Sequence, residues 1–306
     1  QDIQVIGGEN GLTGLFADVR GDSTGDGGNL EINTNTLLVV NGAQMGAGTF
    51  GSGRGGNLTI TAQDIQVIGG ENGVTGLFAS ANSESTGDAG DLTINTNNLL
   101  VRDGAQVSAS TFGEGNGGDL TVNAQTIELI RDGGSSTGLF ARARTGSKGN
   151  AGNLTIDTNT LLLRDGAQVS ASTSGEGSGG NLTVNAQEQI QLIGTTADDD
   201  DFPSGLFASA QRNSIGNAGN LTIETNSLLL RDGAQVFTGT FGSGRAGNLT
   251  VKAQTIELIG ESDNGRSSGL FASTQENSIG DGENLEINTN NLFVQDGAQV
   301  SASTFG

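Results

Sequence analysis

The chain has 306 residues, a formal net charge of −21, no Cys and no His. Without Cys there is no disulfide or thiolate ligand, and without His the commonest general base and metal ligand at neutral pH is missing. The acidic balance argues against nucleic acid and anionic membranes as partners, because both are held through Lys and Arg, and no apolar run is long enough to insert into a bilayer.

Gly contributes 53 residues, Pro one, and Phe is the only aromatic type. No Gly-X-Y period exists, so the Gly content is not collagenous. Apolar residues are ordered rather than scattered, which separates the chain from a disordered one. That order is a repeat. Gly-Leu-Phe-Ala begins at Gly14, Gly76, Gly138, Gly205 and Gly269, spaced by 62, 62, 67 and 64 residues. A second marker, a polar residue followed by Leu, begins at Asn29, Asn57, Asp91, Asp119, Asn153, Asn181, Asn220, Asn248 and Asn284. Each ~62-residue repeat is therefore two related half-units, the signature of a solenoid or array.

In chain order, Gln1–Gly11 repeats Gln63–Gly73 without change, so the chain opens inside a repeat. Arg20-Gly21-Asp22-Ser23 follows in a loop and spells the short integrin-recognition tetrapeptide, once only. The half-unit 119–152 shows three period-2 runs: Leu120/Val122, Ile127/Leu129 and Leu139/Ala141/Ala143. In 153–180 the same grammar gives Leu154/Ile156, Leu161/Leu163 and Ala167/Val169/Ala171, with a Gly-rich closing loop. Three short alternating runs punctuated by turn residues predict three strands. One corner is marked by Asn41-Gly42, Asp103-Gly104, Asp132-Gly133, Asp165-Gly166, Asp232-Gly233 and Asp296-Gly297, residues that tolerate positive φ. A β-propeller also repeats at this length, but its blades need four antiparallel strands and usually aromatic signatures. The expected fold is all-β: a right-handed parallel β-helix of about ten coils, three short strands per coil, forming one continuous solenoid over residues 1–306 from about five two-coil repeats. Both ends fall within a coil, as in an internal slice of a longer array.

Four features are candidates for function. The stacked positions Asn29, Asn57, Asn153, Asn181, Asn220, Asn248 and Asn284 are expected to form a structural ladder that satisfies corner backbone groups. An outward Thr column beside it is interrupted by Glu31 and Glu286, which counts against ice binding. By alternation, Phe16, Phe78, Phe140, Phe207 and Phe271 point outward while the preceding Leu points in. Each Phe either packs under its own loop or joins a hydrophobic stripe for lateral contact between rods. Asp198-Asp199-Asp200-Asp201 is an insertion before Pro203 whose carboxylates suit a hard cation, so Ca²⁺ at the periphery is the one cofactor considered. No unique constellation of acid, base and nucleophile stands out, and the chain is not expected to be an enzyme.

The phrase Gly152–Thr173, Gly-Asn-Leu-Thr-Ile through Leu-Leu-Leu-Arg-Asp-Gly-Ala-Gln-Val-Ser-Ala-Ser-Thr, resembles filamentous-haemagglutinin-like exoproteins. The units from Gly179 are similar, and the closest likeness is to large cyanobacterial members with tandem repeats. It covers essentially the whole chain. That resemblance implies two-partner secretion of the parent protein and a right-handed β-helical fibre outside the cell, with neighbouring copies or repeats, and surface polysaccharide, as partners. It carries no catalytic residues. The expected role is a structural or adhesive fibre segment; the alternative is a module that reads glycans or divalent cations through the loops around Asp198–Asp201.

Overall fold

Alternation turns every second residue of each run inward, and the chain closes on itself around those side chains. The computed structural model describes all residues except Asn10, Asp22, Gly134, Asp199, 275–283 and 305–306. Among the described residues it is a parallel β-solenoid of about ten coils with no helix.

One coil shows the construction. A first arm, Leu92–Asn95, leads after a two-residue bend into a second, Asn98–Arg102; a corner then delivers a third, Gln106–Ser108. From Leu154 onward the bend is absorbed and the first two arms run as single strands, Leu154–Arg164 being the first. Hydrogen bonding accordingly gives two sheets among the described residues, of 14 and 10 strands, rather than one sheet for each of the three strands expected per coil. The first and second arms share one sheet because the continuous strands join their two columns. Stacking is in register: Leu120 pairs with Leu154 and Leu154 with Leu182, and Val107, Leu139, Val169 and Leu206 form a column in the third arm.

The inward column is the core. Leu154, Ile156, Leu161, Leu163, Ala167, Val169 and Ala171 are all buried. Between the arms the sequence supplies what each corner needs. In Asn41-Gly42, Asp103-Gly104, Asp165-Gly166, Asp232-Gly233 and Asp296-Gly297 both residues have positive φ, for example 57° at Asp165 and 88° at Gly166. Asn and Asp enter this region more readily than other side chains, and Gly does so freely. The expectation fails at Asp132-Gly133. Only the Gly there has positive φ, because the corner between Ile130 and Gly138 belongs to the alternate, longer kind and needs no two-residue turn.

Insertions fall outside the stacked arms. The corner after Ile193 runs to Gly205, and that after Ile259 runs to Gly269, without disturbing the third-arm register. A single bulge between Ala186 and Gln189 absorbs an extra residue. The Gly-rich loops are drawn tight by the last Thr of the third arm: Thr111 Oγ1 donates to Gly115 O at 2.6 Å and Thr173 Oγ1 to Gly177 O at 2.6 Å.

Candidate functional site: polar ladders and the third-arm groove

The ladder is built from side chain to backbone. Asn29 Oδ1 accepts from the Asn57 N–H at 2.9 Å, Asn57 from Asp91 at 3.0 Å, Asp119 from Asn153 at 2.8 Å and Asn153 from Asn181 at 3.0 Å. It continues through Asn181, Asn220 and Asn248 to the N–H of Asn284. Only the acceptor oxygen is required, which explains why Asp91 and Asp119 substitute for Asn. Immediately before each rung from Asn57 to Asn248 lies a Gly whose Cβ would collide with the coil beneath: at Gly152 it would sit 1.9 Å from Gly118 O, and at Gly180 1.8 Å from Gly152 O. The coils approach too closely there for any side chain.

A second ladder runs three residues upstream and was not read from the sequence. Asp88 Oδ1 accepts from Asn116 N–H at 2.7 Å, Asn116 from Asn150 at 3.0 Å, and Asn150 from Ser178 at 2.8 Å. The signal was present in the spacing Gly-Asn-x-Gly-Asn, as in 149–153. It was hidden because Asp, Asn and Ser share the position.

The outward third-arm positions carry the Phe residues. Each ring folds back over the Gly two residues earlier; a Cβ at Gly205 would lie 2.7 Å from Phe207 Cζ, and one at Gly76 2.5 Å from Phe78 Cζ. That accounts for the invariant Gly of the marker: the ring covers its own strand rather than sitting under its loop. Phe16, Phe78, Phe207 and Phe271 are half-buried, and Phe140 is 2% exposed. Phe237 stands in register between Phe207 and Phe271, so three successive coils present an aromatic column. Phe241 stacks on Phe237 with centroids 5.3 Å apart. Phe305 lies outside the described residues.

The Asp run is divided rather than gathered. Asp198 Oδ1 accepts from Thr196 Oγ1, and Asp199 lies outside the described residues. Asp201, with φ of 49°, turns into the corner, where Arg266 Nε donates to its Oδ2 and to its main-chain O, both at 3.0 Å, and Ser262 Oγ donates at 3.2 Å. Burial pushes the Asp201 carboxyl up, but hydrogen bonds from Thr195, Arg266 and Ser262 and the Arg266 charge outweigh it and hold it below its usual range. Arg266 belongs to a corner two coils further on, so the inserted loop acts as a clamp across the short corner at Asp232-Gly233. Among the described residues no three His, Cys, Asp or Glu side chains converge as a metal site requires. In the loop at Arg20, the Arg20 guanidinium pairs with Asp18 at 3.2 Å, and Asp22 is outside the described residues.

On the same face as the Phe column lies a groove of about 770 Å³. Its walls include Arg131, Arg142, Arg212 and Arg266, and its floor Ser170, Phe207, Phe237 and Phe271. Arg142 occupies the position filled by Ser110 and Ser172 in the neighbouring coils, its own N–H bonding Ser110 Oγ at 3.0 Å. Its guanidinium lies 3.6 Å from the Phe140 ring centroid. Burial, and then the Arg144 charge, push it well below the ordinary arginine value. Aligning the third arms would have shown this Arg in a column of Ser, but single-repeat reading did not.

No protein family, no curated protein and no solved structure matches this chain.

Proposed function

We propose that this chain is a structural and adhesive segment of an extracellular cell-surface fibre, a stiff rod that coats, adheres or builds a sheath. One observation carries the reading: strand pairing continues in register from Asp2 to Thr304, coil on coil. A stack in which each unit contacts only its neighbours extends without limit of length and resists bending through hydrogen bonds spaced at about 4.8 Å. The polar ladders add side-chain links from coil to coil at two positions, the second being interrupted at Arg54, which suits a rod held under load. The resemblance of Gly152–Thr173 to filamentous-haemagglutinin-like repeats supports the same assignment and the cell-surface location.

In this reading the path is right-handed, as parallel crossovers favour, and the cross-section is three-sided, one side per arm. Activity needs no catalytic residue and no resident cofactor. Neighbouring rods meet along the part of the third-arm face where Phe16 and Phe78 remain partly open. Immunogold labelling of intact cells with an antibody raised against the repeat tests the assignment. Label on filaments outside the cell is expected; label confined to the cell interior would end it.

A further inference from the structure

The chain is strongly acidic, yet one groove collects four arginines against an aromatic column. Two of the four are engaged at once: Arg266 binds Asp201, and Arg131 lies over the Phe202 ring at 5.1 Å. Arg142 is different. Its Nε and Nη2 are buried and have no hydrogen-bond acceptor. Arg144, two residues on and seated 5.3 Å from the Phe112 ring, adds a like charge rather than a countercharge. A buried guanidinium without an acceptor is costly, and stacking on Phe140 returns only part of that cost. The neighbouring coils show the cheaper solution, Ser, at the same register. An arginine kept here against its own stability is poised to receive an anion.

The surroundings say which kind. Phe207, Phe237 and Phe271 repeat at the coil spacing of about 4.8 Å along the rod. A repeating floor suits a repeating ligand with apolar ring faces better than a single acidic turn of another protein. Ser170 and Ser172 line the groove beside Arg142, their hydroxyls bonded to one another at 3.0 Å. We propose that the third-arm groove binds an acidic polysaccharide, with Arg142 receiving a uronate carboxylate and the Phe207–Phe271 column taking the faces of adjoining sugar rings. This moves glycan recognition from the Asp198–Asp201 loop to the opposite charge, and it stands whether or not the chain forms fibres.

The test uses the 306-residue chain and polygalacturonate, with neutral dextran as control. Titration is done at pH 7 in about 0.15 M salt, where the Debye length of about 8 Å screens the overall negative charge. Wild type is expected to bind polygalacturonate and not dextran. Arg142→Ser should weaken binding about tenfold or more, equivalent to ~1.4 kcal/mol, while its melting temperature stays unchanged or rises. The exposed loop variant Arg54→Ser should bind within about twofold of wild type, since losing a screened surface charge changes little. The proposal falls if wild type does not bind, if Arg142→Ser binds equally well, or if that variant melts several degrees lower, which would make Arg142 structural. Sedimentation of the same samples without polysaccharide closes the alternative: self-association abolished by Arg142→Ser would mean that a second copy fills the groove, and would overturn the glycan assignment.

Discussion

Leu154 and Thr155 are adjacent in sequence and opposite in consequence. Leu154 is 0% exposed, with Leu120 on one side and Leu182 on the other in the same column. Thr155 faces out between Thr121 and Thr183, in a column that carries Glu at 31 and 286. Truncating a buried Leu to Ala costs about 2–5 kcal/mol, the upper half applying where surroundings cannot collapse into the space. Here the flanking Leu residues are fixed by strands paired on both sides, so Leu154→Ala is expected to cost about 3–5 kcal/mol. Leu154→Asp adds the desolvation of a carboxyl with no donor nearby, several kcal/mol more, and should open the stack locally. Thr155→Glu should stay within about 0.5 kcal/mol of wild type, as surface changes do. Urea unfolding followed by circular dichroism gives the ranking, and native-state hydrogen exchange shows whether protection is lost on the coils flanking residue 154. A one-residue slip would exchange the two faces. If Thr155→Glu proves the more damaging variant, or if the two variants cannot be distinguished, the register and the alternation argument are wrong.

Three further outcomes follow from particular contacts. Gly152→Ala places a Cβ 1.9 Å from Gly118 O and should cost at least about 1–3 kcal/mol through forced backbone shifts, whereas Gly25→Ala, with nothing within 4 Å, should be within about 0.5 kcal/mol in the same melts. Asn181→Asp keeps the acceptor for the Asn220 N–H and should be near neutral, while Asn181→Leu removes it and should cost about 0.5–1.5 kcal/mol by thermal unfolding. The Asp201 carboxyl is held below its unfolded value, so its contribution is complete above about pH 4 and is lost as the pH falls through the folded value. Melting temperatures between pH 2 and 6 should therefore drop less steeply in Asp201→Asn than in wild type.

Most of the architecture was legible because period-2 alternation and stacking are the same statement made along and across the chain. Leu154, Ile156, Leu161 and Leu163 could only face inward together, and every coil repeats them. The corner pairs were legible for the same reason, except Asp132-Gly133, where an identical dipeptide sits in a corner of different length. What alternation does not encode is whether a bend divides two strands or is absorbed into one. Asn33 to Thr36 separates two strands and Asp157 to Thr160 lies within one, although both stretches read as polar residues with Thr and Asn and both keep backbone bonds to neighbouring coils. The three-sheet expectation failed on that detail. The candidate site was less legible. The Phe residues showed their outward direction, but not that each ring would lie on its own Gly. The Asp run suggested a cation by composition, while its fold turned Asp201 toward Arg266, 65 residues away in sequence. Arg142 carries its meaning only against Ser110 and Ser172, a comparison across coils that a reading along the chain does not make.

The most direct test is diffraction from oriented filaments of native cell-surface material. Strands stacked across the rod predict an axial reflection near 4.8 Å, with a weaker one near 9.6 Å from the two-coil repeat. Filaments with both spacings along their axis would establish the stacked rod in its working form. Surface filaments bearing this chain whose 4.8 Å spacing lies across the axis, or is missing, would contradict it.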